Sequence, residues 1–194
     1  MRLKVRFLAY LMALALAACG QPPESRQMGS VDDIRALEKA IIDLGPSVDP
    51  AEAARVAEIA YTHTRELAIA YQITDPPIIH NMKVNMGTRP RGLCWHWAED
   101  MEKRLLAENF QTLDVLRAIA NADVNFRIDH STALVAPKGK TIREAMILDP
   151  WRFGGTLFWS ETPADTRYDW VPQKDVIAWR RQRLLAEQGN PQPG

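Results

Sequence analysis

Residues 130–149 read HSTALVAPKGKTIREAMILD, and this stretch carries the clearest fold signal in the chain. Two apolar runs, which we predict as strands over residues 125–136 and 141–149, flank the sequence PKGK at residues 137–140. A two-residue type II′ turn at Gly139-Lys140 suits a β-hairpin, because Gly adopts the first turn position without strain. The sequence therefore predicts two paired antiparallel strands.

A histidine opens the first of these strands and an aspartate closes the second. Counting back from the predicted turn places His130 directly opposite Asp149, with Cβ atoms about 4.5–5.5 Å apart. A carboxylate in that place accepts a hydrogen bond from one imidazole nitrogen, which leaves the other nitrogen free to act as a base. The alternative is that His130 is an ordinary core or surface residue and that Asp149 begins an Asp-Pro turn.

Cys94 lies in the sequence RGLCWHWAE at residues 91–99. A loop-like, Pro- and Gly-rich sequence precedes it and a helical pattern follows it, so we place the thiol in the first turn of a helix. Unpaired N–H groups at a helix start favour an anion, and the thiolate is the reactive form of cysteine. The alternative is a buried structural cysteine, which packs as a small apolar residue.

These elements together resemble the transglutaminase-like branch of the papain-fold proteins. The chain has Gly92-Leu93-Cys94 at a helix start, then His130 entering a strand, then Ile147-Leu148-Asp149-Pro150 at a strand end, and the resemblance covers about residues 85–155. It implies an α+β, papain-like (transglutaminase-like) fold with N-terminal helices and a nucleophile-bearing helix packed on a small antiparallel sheet. It also implies that Cys94 is the nucleophile, His130 the general base and acid, and Asp149 the residue that orients the imidazole.

The sequence offers further candidates for the remaining parts of a reactive cleft. Members of the family often have an aromatic residue after the histidine, whereas this chain has Ser131-Thr132. The backbone N–H of Cys94 is the first candidate for an oxyanion donor, and the Asn85 side chain is the second. Trp95 and Trp151 are candidates for lining the cleft, although Trp151 also suits core packing.

Two other readings of the same residues are open. Peptidoglycan endopeptidases of the NlpC type are often lipoproteins with a similar cysteine and histidine, but their third residue is usually a second histidine. A zinc site of Cys94, His130, Asp149 and His80 has a suitable mixture of ligand types but no short paired spacing. The prediction therefore includes neither a metal nor a cofactor.

The N-terminus resembles a bacterial lipoprotein signal. Residues 1–18 combine a basic start with an uncharged, mostly apolar run that is too short to span a bilayer comfortably. They end in Leu16-Ala17-Ala18-Cys19, which resembles a lipobox and implies cleavage before Cys19 and attachment of lipid to its thiol. The residue after Cys19 is Gly20 rather than Asp, and its resemblance to enterobacterial sorting signals implies the outer membrane, facing the periplasm. The alternatives are an ordinary signal peptide or an uncleaved anchor helix.

We divide the rest of the chain into a tether at residues 19–31, one domain at residues 32–188 and a disordered tail at residues 189–194. Within the domain, helices are expected from Asp32 or Asp33 to about Leu44, from Pro50 capped by Asp49, from near Leu93 to Asn109, and from Lys174 to Gln188. Residues 73–91 are expected to be irregular, and residues 113–124 to be a short helix or a strand.

Composition excludes several classes of function. Lys+Arg and Asp+Glu are both 24, so the chain has no basic excess of the kind that binds nucleic acid. Removal of the signal leaves 21 basic and 24 acidic residues, a net charge of −3. Two cysteines exclude a disulfide-rich scaffold.

The sequence therefore predicts a lipoprotein of the cell envelope, held at the membrane through Cys19 and carrying a Cys94–His130–Asp149 triad. The expected chemistry is acyl transfer to water, as in a cysteine peptidase or amidase, on envelope proteins or peptidoglycan peptides. Transglutaminase-like transfer to an amine uses the same residues. The alternative is a non-enzymatic lipoprotein that uses this fold as a binding or assembly module.

Overall fold

The computed structural model describes residues 29–189. The predicted signal peptide at residues 1–18, the lipidation site at Cys19, most of the tether and the tail after residue 189 lie outside this range. No helix within the described range is long and apolar enough to cross a membrane.

The described residues form five α-helices and one five-stranded antiparallel sheet, so the predicted α+β class is confirmed. The helices are α1 (Val31–Ile42), α2 (Pro50–Ala70), α3 (Pro77–Asn85), α4 (Cys94–Leu106) and α5 (Gln173–Gly189). The strands are β1 (Leu113–Ala120), β2 (His130–Pro137), β3 (Met146–Asp149), β4 (Phe158–Glu161) and β5 (Val171–Pro172), and their order across the sheet is β4-β3-β2-β1-β5. Short 3₁₀ turns occupy Ile142–Glu144 and Thr162–Ala164.

Capping residues fix the starts of the first two helices. Asp49 caps α2 as predicted, since its carboxylate accepts the N–H groups of Ala51 at 2.7 Å and Glu52 at 3.1 Å. Helix α1 begins earlier than predicted, because Ser30 rather than Asp32 or Asp33 is its N-cap. The Asp33 carboxylate instead accepts the backbone N–H of Ser30 at 2.8 Å and closes a capping box.

The prediction of an irregular segment at residues 73–91 is wrong, because α3 lies inside it. The Pro76-Pro77 pair favours a break in a helix when it is considered from the sequence alone. Pro77 instead occupies the first turn of α3, where a missing N–H removes no hydrogen bond and the fixed φ suits a helix. The helix buries His80 and Asn81.

Helices α1, α2 and α4 cover one face of the sheet with the main apolar core. Its buried residues include Leu37, Ile41, Val56, Ile59, Met101, Leu105, Ala133, Val135, Met146 and Leu148. A smaller cluster on alternate residues of the strands includes Leu134, Ala136 and Ile147. Strand β2 is buried along its whole length, which agrees with its place at the centre of the sheet.

The predicted register between β2 and β3 is wrong by two residues. Ala133 pairs with Leu148 and Val135 pairs with Met146, which aligns Asp149 with Thr132 and makes it a diagonal neighbour of His130. The cause is the connection: residues 138–145 contain the 3₁₀ turn instead of forming a two-residue hairpin turn. A shift of two residues preserves which face each side chain occupies, so His130 and Asp149 still share a face.

The loop before α4 depends on a glycine. Gly92 has φ +126°, which favours glycine, and the His80 imidazole lies against it while donating from Nε2 to the carbonyl of Arg91 at 2.8 Å. A Cβ placed at Gly92 would lie 2.3 Å from His80 Nε2. The loop that leads into Cys94 is therefore fixed both by the backbone conformation of Gly92 and by its close packing against His80.

We expect Gly92→Ala to lower the free energy of unfolding by about 2–4 kcal/mol, since it combines backbone strain with a collision. Gly139→Ala is the matched control. Gly139 has φ +76°, but no atom lies within 4 Å of its added Cβ, so this change should cost only about 1 kcal/mol. Urea denaturation followed by circular dichroism measures both, and equal losses would contradict the packing argument.

Candidate active site

His130 and Asp149 meet at adjacent ends of β2 and β3. The Nε2–H of His130 donates to Asp149 Oδ2 at 2.7 Å. Both residues are buried, with 1% and 0% of their surface exposed. Because the carboxylate only accepts hydrogen bonds, it holds the imidazole proton on Nε2 in the neutral form. The structure thus makes the predicted contact although the register differs.

Arg152 supports Asp149 from the other side and was not foreseen from the sequence. Its Nε donates to Asp149 Oδ2 at 2.9 Å, and its backbone N–H donates to Oδ1 at 3.1 Å. The same guanidinium donates to both carboxylate oxygens of Asp165, at 3.1 and 2.6 Å. Trp170 donates from Nε1 to Asp165 at 2.9 Å. Asp149 is therefore held in place by a buried network of alternating charge.

Three aromatic rings enclose the His130 imidazole. The ring centroids of Trp151, Tyr168 and Trp170 lie 4.7, 4.6 and 5.2 Å from that of His130. Trp151, predicted to line a cleft or pack in the core, does both: it is 8% exposed and lines the cavity beside His130. The rings restrict the rotation of the imidazole and limit its contact with water.

Cys94 is the first residue of α4, as predicted, and is 5% exposed. Its thiol donates to the carbonyl of Asp129, with Sγ and O separated by 3.3 Å. Asp129 directly precedes His130, and the thiol lies close enough to the imidazole to affect its pKa. The fold therefore gathers Cys94, His130 and Asp149 in one cluster.

The electrostatics of this cluster favour a charged imidazole. Burial alone lowers the pKa of His130. The charge of Asp149, its hydrogen bond to the ring and the neighbouring Cys94 outweigh burial and raise that pKa to about 9. The other ring nitrogen, Nδ1, is buried and meets no partner in hydrogen-bonding geometry among the described residues. Nδ1 is therefore the ring nitrogen that is left to exchange a proton with the neighbouring Cys94 thiol.

His96 has a structural role at the start of α4. Its Nδ1 accepts the backbone N–H groups of Gly92 at 3.1 Å and Leu93 at 3.2 Å. Burial lowers the pKa of His96, so its neutral form, which can accept these bonds, is favoured. Those two N–H groups are consequently not available to a substrate. The backbone N–H of Cys94 is the first in the helix, and such groups have no acceptor within the helix.

Two adjoining cavities open onto the cluster. The first, of about 500 Å³, is lined by Cys94 together with the predicted residues Trp95 and Asn85. The second, of about 560 Å³, is lined by His130 and Trp151. Ile78 and Ile128 line both cavities, so the two cavities adjoin.

Asn81 is a second amide in the cavity of Cys94 and was not identified from the sequence. It lies one helical turn before Asn85 on α3. Asn85 is exposed, whereas Asn81 is 8% exposed and its Oδ1 accepts the Trp151 indole N–H at 3.1 Å. That bond fixes the orientation of the Asn81 amide. Asn81 is therefore held more firmly than Asn85.

The proposed zinc alternative is not assembled. Within residues 29–189, no group of three or more His, Cys, Asp and Glu side chains could hold a metal ion. His80 instead lies against Gly92, donating to a backbone carbonyl as described above.

Comparison with known proteins identifies no relative. No protein-family model, curated protein or solved structure matches this chain. The chemistry of the site must therefore be inferred from its own geometry.

Sequence reasoning found the three central residues but missed those that support them. Arg152 follows Asp149 by three residues, and a turn can bring residues at this spacing together. This spacing is the only local signal in the sequence for the contact between Arg152 and Asp149. Asp165 and Tyr168 lie between β4 and β5, and their positions follow from tertiary packing alone.

We expect Asp149→Asn to lower the pKa of His130 from about 9 to below its ordinary value of about 6.5. The reason is that burial then acts without the opposing carboxylate charge. Proton NMR titration measures this, with the His130 signal identified by its absence from His130→Gln.

Asp123→Asn is the matched control, because Asp123 is an exposed carboxylate in the loop before β2. It should leave the His130 titration unchanged. An unchanged titration in Asp149→Asn would contradict the assigned electrostatics.

Proposed function

We propose that this protein is a cysteine hydrolase of the cell envelope that cleaves amide bonds by acyl transfer. The observation that carries the proposal is the unpaired Nδ1 of His130 beside the Cys94 thiol, on an imidazole held by Asp149 through its other nitrogen. This arrangement is the one that general-base activation of a nucleophile requires.

The reaction has two steps. In the reactive form the thiol proton lies on His130 Nδ1, an arrangement that the raised pKa of His130 favours, and the Cys94 thiolate attacks an amide carbonyl. The C–N bond breaks, Nδ1–H gives its proton to the leaving amine, and a thioester on Cys94 remains. His130 then takes a proton from water, the resulting hydroxide attacks the thioester, and the acid leaves while the proton returns to sulfur.

Two donors suit the oxyanion that develops on the carbonyl. The Cys94 backbone N–H is at the helix start, where the helix dipole also favours negative charge. The Asn81 amide lines the same cavity, and with its oxygen bound to Trp151 its nitrogen is the free end. We assign the side-chain donor to Asn81 in preference to Asn85, because Asn81 is buried and fixed.

The papain-like, transglutaminase-like identity of the fold belongs to the same proposal. Its support is the arrangement of α4, which begins with the cysteine and packs on a central antiparallel strand that begins with the histidine. The Asp at the end of the next strand completes the order of the family resemblance. Water is the default acceptor in an aqueous envelope, so we favour hydrolysis over transamidation.

The location and partners follow from the N-terminal sequence. We propose attachment to a membrane through lipid on Cys19, with the domain in the periplasm at the outer membrane. Proteins of the envelope and peptidoglycan peptides are the amide substrates found there, while the neutral charge balance of the chain argues against nucleic acid.

Hydrolysis is tested by incubating the purified full chain with envelope extracts and mapping new peptide termini by mass spectrometry. We expect wild type to produce new termini and Cys94→Ala to produce none. Asp149→Asn should slow their formation by roughly a hundredfold or more, because the imidazole loses its orientation. Circular dichroism must show that each variant is folded.

Alkylation by iodoacetamide at pH 6 is the control for thiol activation. An ordinary thiol with a pKa of about 8.5 is almost entirely protonated at this pH and reacts slowly. Wild-type Cys94 should react at least about tenfold faster than in His130→Ala. Equal rates, or full activity in Cys94→Ser, would end the hydrolase proposal and favour the binding-module alternative.

We expect Cys19→Ser to release the protein from the membrane fraction when it is expressed in a Gram-negative host. A serine cannot accept the thioether-linked lipid, and the anchor supplies the membrane affinity. Fractionation and incorporation of labelled palmitate measure the effect, and Cys94→Ser should retain both lipid and membrane attachment. Palmitate incorporation in Cys19→Ser would contradict the assignment.

A further inference from the structure

The two cavities beside the reactive cluster differ in charge. Around the Cys94 cavity, the lining is mostly apolar or amide, and its one pair of charges is joined: Arg180 donates to Asp129 at 2.6 Å. The His130 cavity is lined by three arginines, Arg127, Arg152 and Arg167, and none of its described lining residues is acidic. The cleft therefore has a neutral half and a cationic half.

Two of these arginines have charges that the fold does not neutralise. Arg152 is buried between Asp149 and Asp165, as described above. Arg127 and Arg167 are exposed, and neither guanidinium group has an acidic partner among residues 29–189. The Arg167 guanidinium lies 5.5 Å from the centroid of the Tyr168 ring, and only its backbone N–H donates to Asp165, at 3.1 Å. In a chain with no net basic charge, two unneutralised guanidinium groups at one cavity mark a site for an anion.

The roles of Cys94 and His130 in the proposed reaction determine which side of the scissile amide lies in each cavity. The acyl carbon must reach Cys94, and the leaving amine must receive its proton from His130. The acyl side of the amide therefore occupies the neutral cavity, and the amine side occupies the cationic cavity.

We infer that the cavity of Arg127 and Arg167 binds a carboxylate on the amine side of the scissile amide. The substrate class is thus a peptide with an apolar residue on the acyl side and an acidic leaving group. This inference rests on the proposed function for its direction. The carboxylate belongs either to a chain end or to an acidic side chain, since both present the same group to a guanidinium.

Three alkylating probes test the inference without requiring turnover. N-iodoacetyl-alanine has a chain-end carboxylate, N-iodoacetyl-aspartic acid α-amide has a side-chain carboxylate, and N-iodoacetyl-alaninamide is neutral. The full chain is treated with each probe at pH 8, and modification of Cys94 is followed by peptide mass spectrometry, which separates it from Cys19. The measured quantity is the rate with each acidic probe divided by the rate with the neutral probe.

We expect at least one acidic-to-neutral rate ratio to fall about fivefold in the Arg127→Gln/Arg167→Gln double variant. The acidic probe whose rate ratio falls shows whether the carboxylate belongs to a chain end or to an acidic side chain. The difference should shrink in 0.5 M KCl, because salt screens exposed charges. Arg143→Gln is the matched control: Arg143 is exposed and lines neither cavity, so both ratios should stay as in wild type.

Ratios that are the same in wild type and the double variant would overturn the carboxylate site. Failure of the proposed hydrolase would look different. In that case the neutral probe would react at the rate of an ordinary thiol and would be insensitive to His130→Ala, while the double variant would still lower an acidic-to-neutral ratio. Because Arg127 and Arg167 are exposed and unpaired with acids, the double variant should fold normally, which circular dichroism checks.

Discussion

A buried imidazole and a buried carboxylate meet at 2.7 Å between His130 and Asp149, and the rest of the site is arranged around that contact. Each charge alone would lose several kcal/mol of hydration in this setting. Arg152 and Asp165 extend the pair into a series of alternating charges. The series has no net charge when His130 is protonated. Within it, the charge of Asp149 and its hydrogen bond to the ring, together with the neighbouring Cys94, raise the pKa of His130 although burial opposes the rise.

The parts of the site that the sequence predicted are those set by local rules. Asp49 caps a helix because its side chain reaches N–H groups two and three residues ahead. Cys94 begins a helix because a glycine loop precedes it and an apolar period follows it. His130 and Asp149 share a face because side chains alternate along strands, and this parity survives the two-residue error in register.

The parts that the sequence did not predict depend on contacts between distant segments. The connection between β2 and β3 contains a 3₁₀ turn, capped locally by Thr141, which competes with the hairpin turn favoured by Gly139. Pro77 has two opposite meanings, as a breaker or as a first helical residue, and only the burial of α3 decides between them. Arg152 joins carboxylates 3 and 13 residues away. No local sequence pattern specifies a network that joins residues separated by 13 positions.

The hydrogen bonding around Cys94 is the feature on which the proposed hydrolase depends. Leaving a buried polar atom without a partner costs about 1–3 kcal/mol, so folding normally avoids it. Here the thiol donates to the carbonyl of Asp129, and within residues 29–189 no donor meets the nearby Nδ1 of His130 in hydrogen-bonding geometry. In the proposed hydrolase the thiol proton lies on this nitrogen, and the resulting N–H donates to the thiolate. That hydrogen bond would lower the free energy of the ion pair that attacks the substrate.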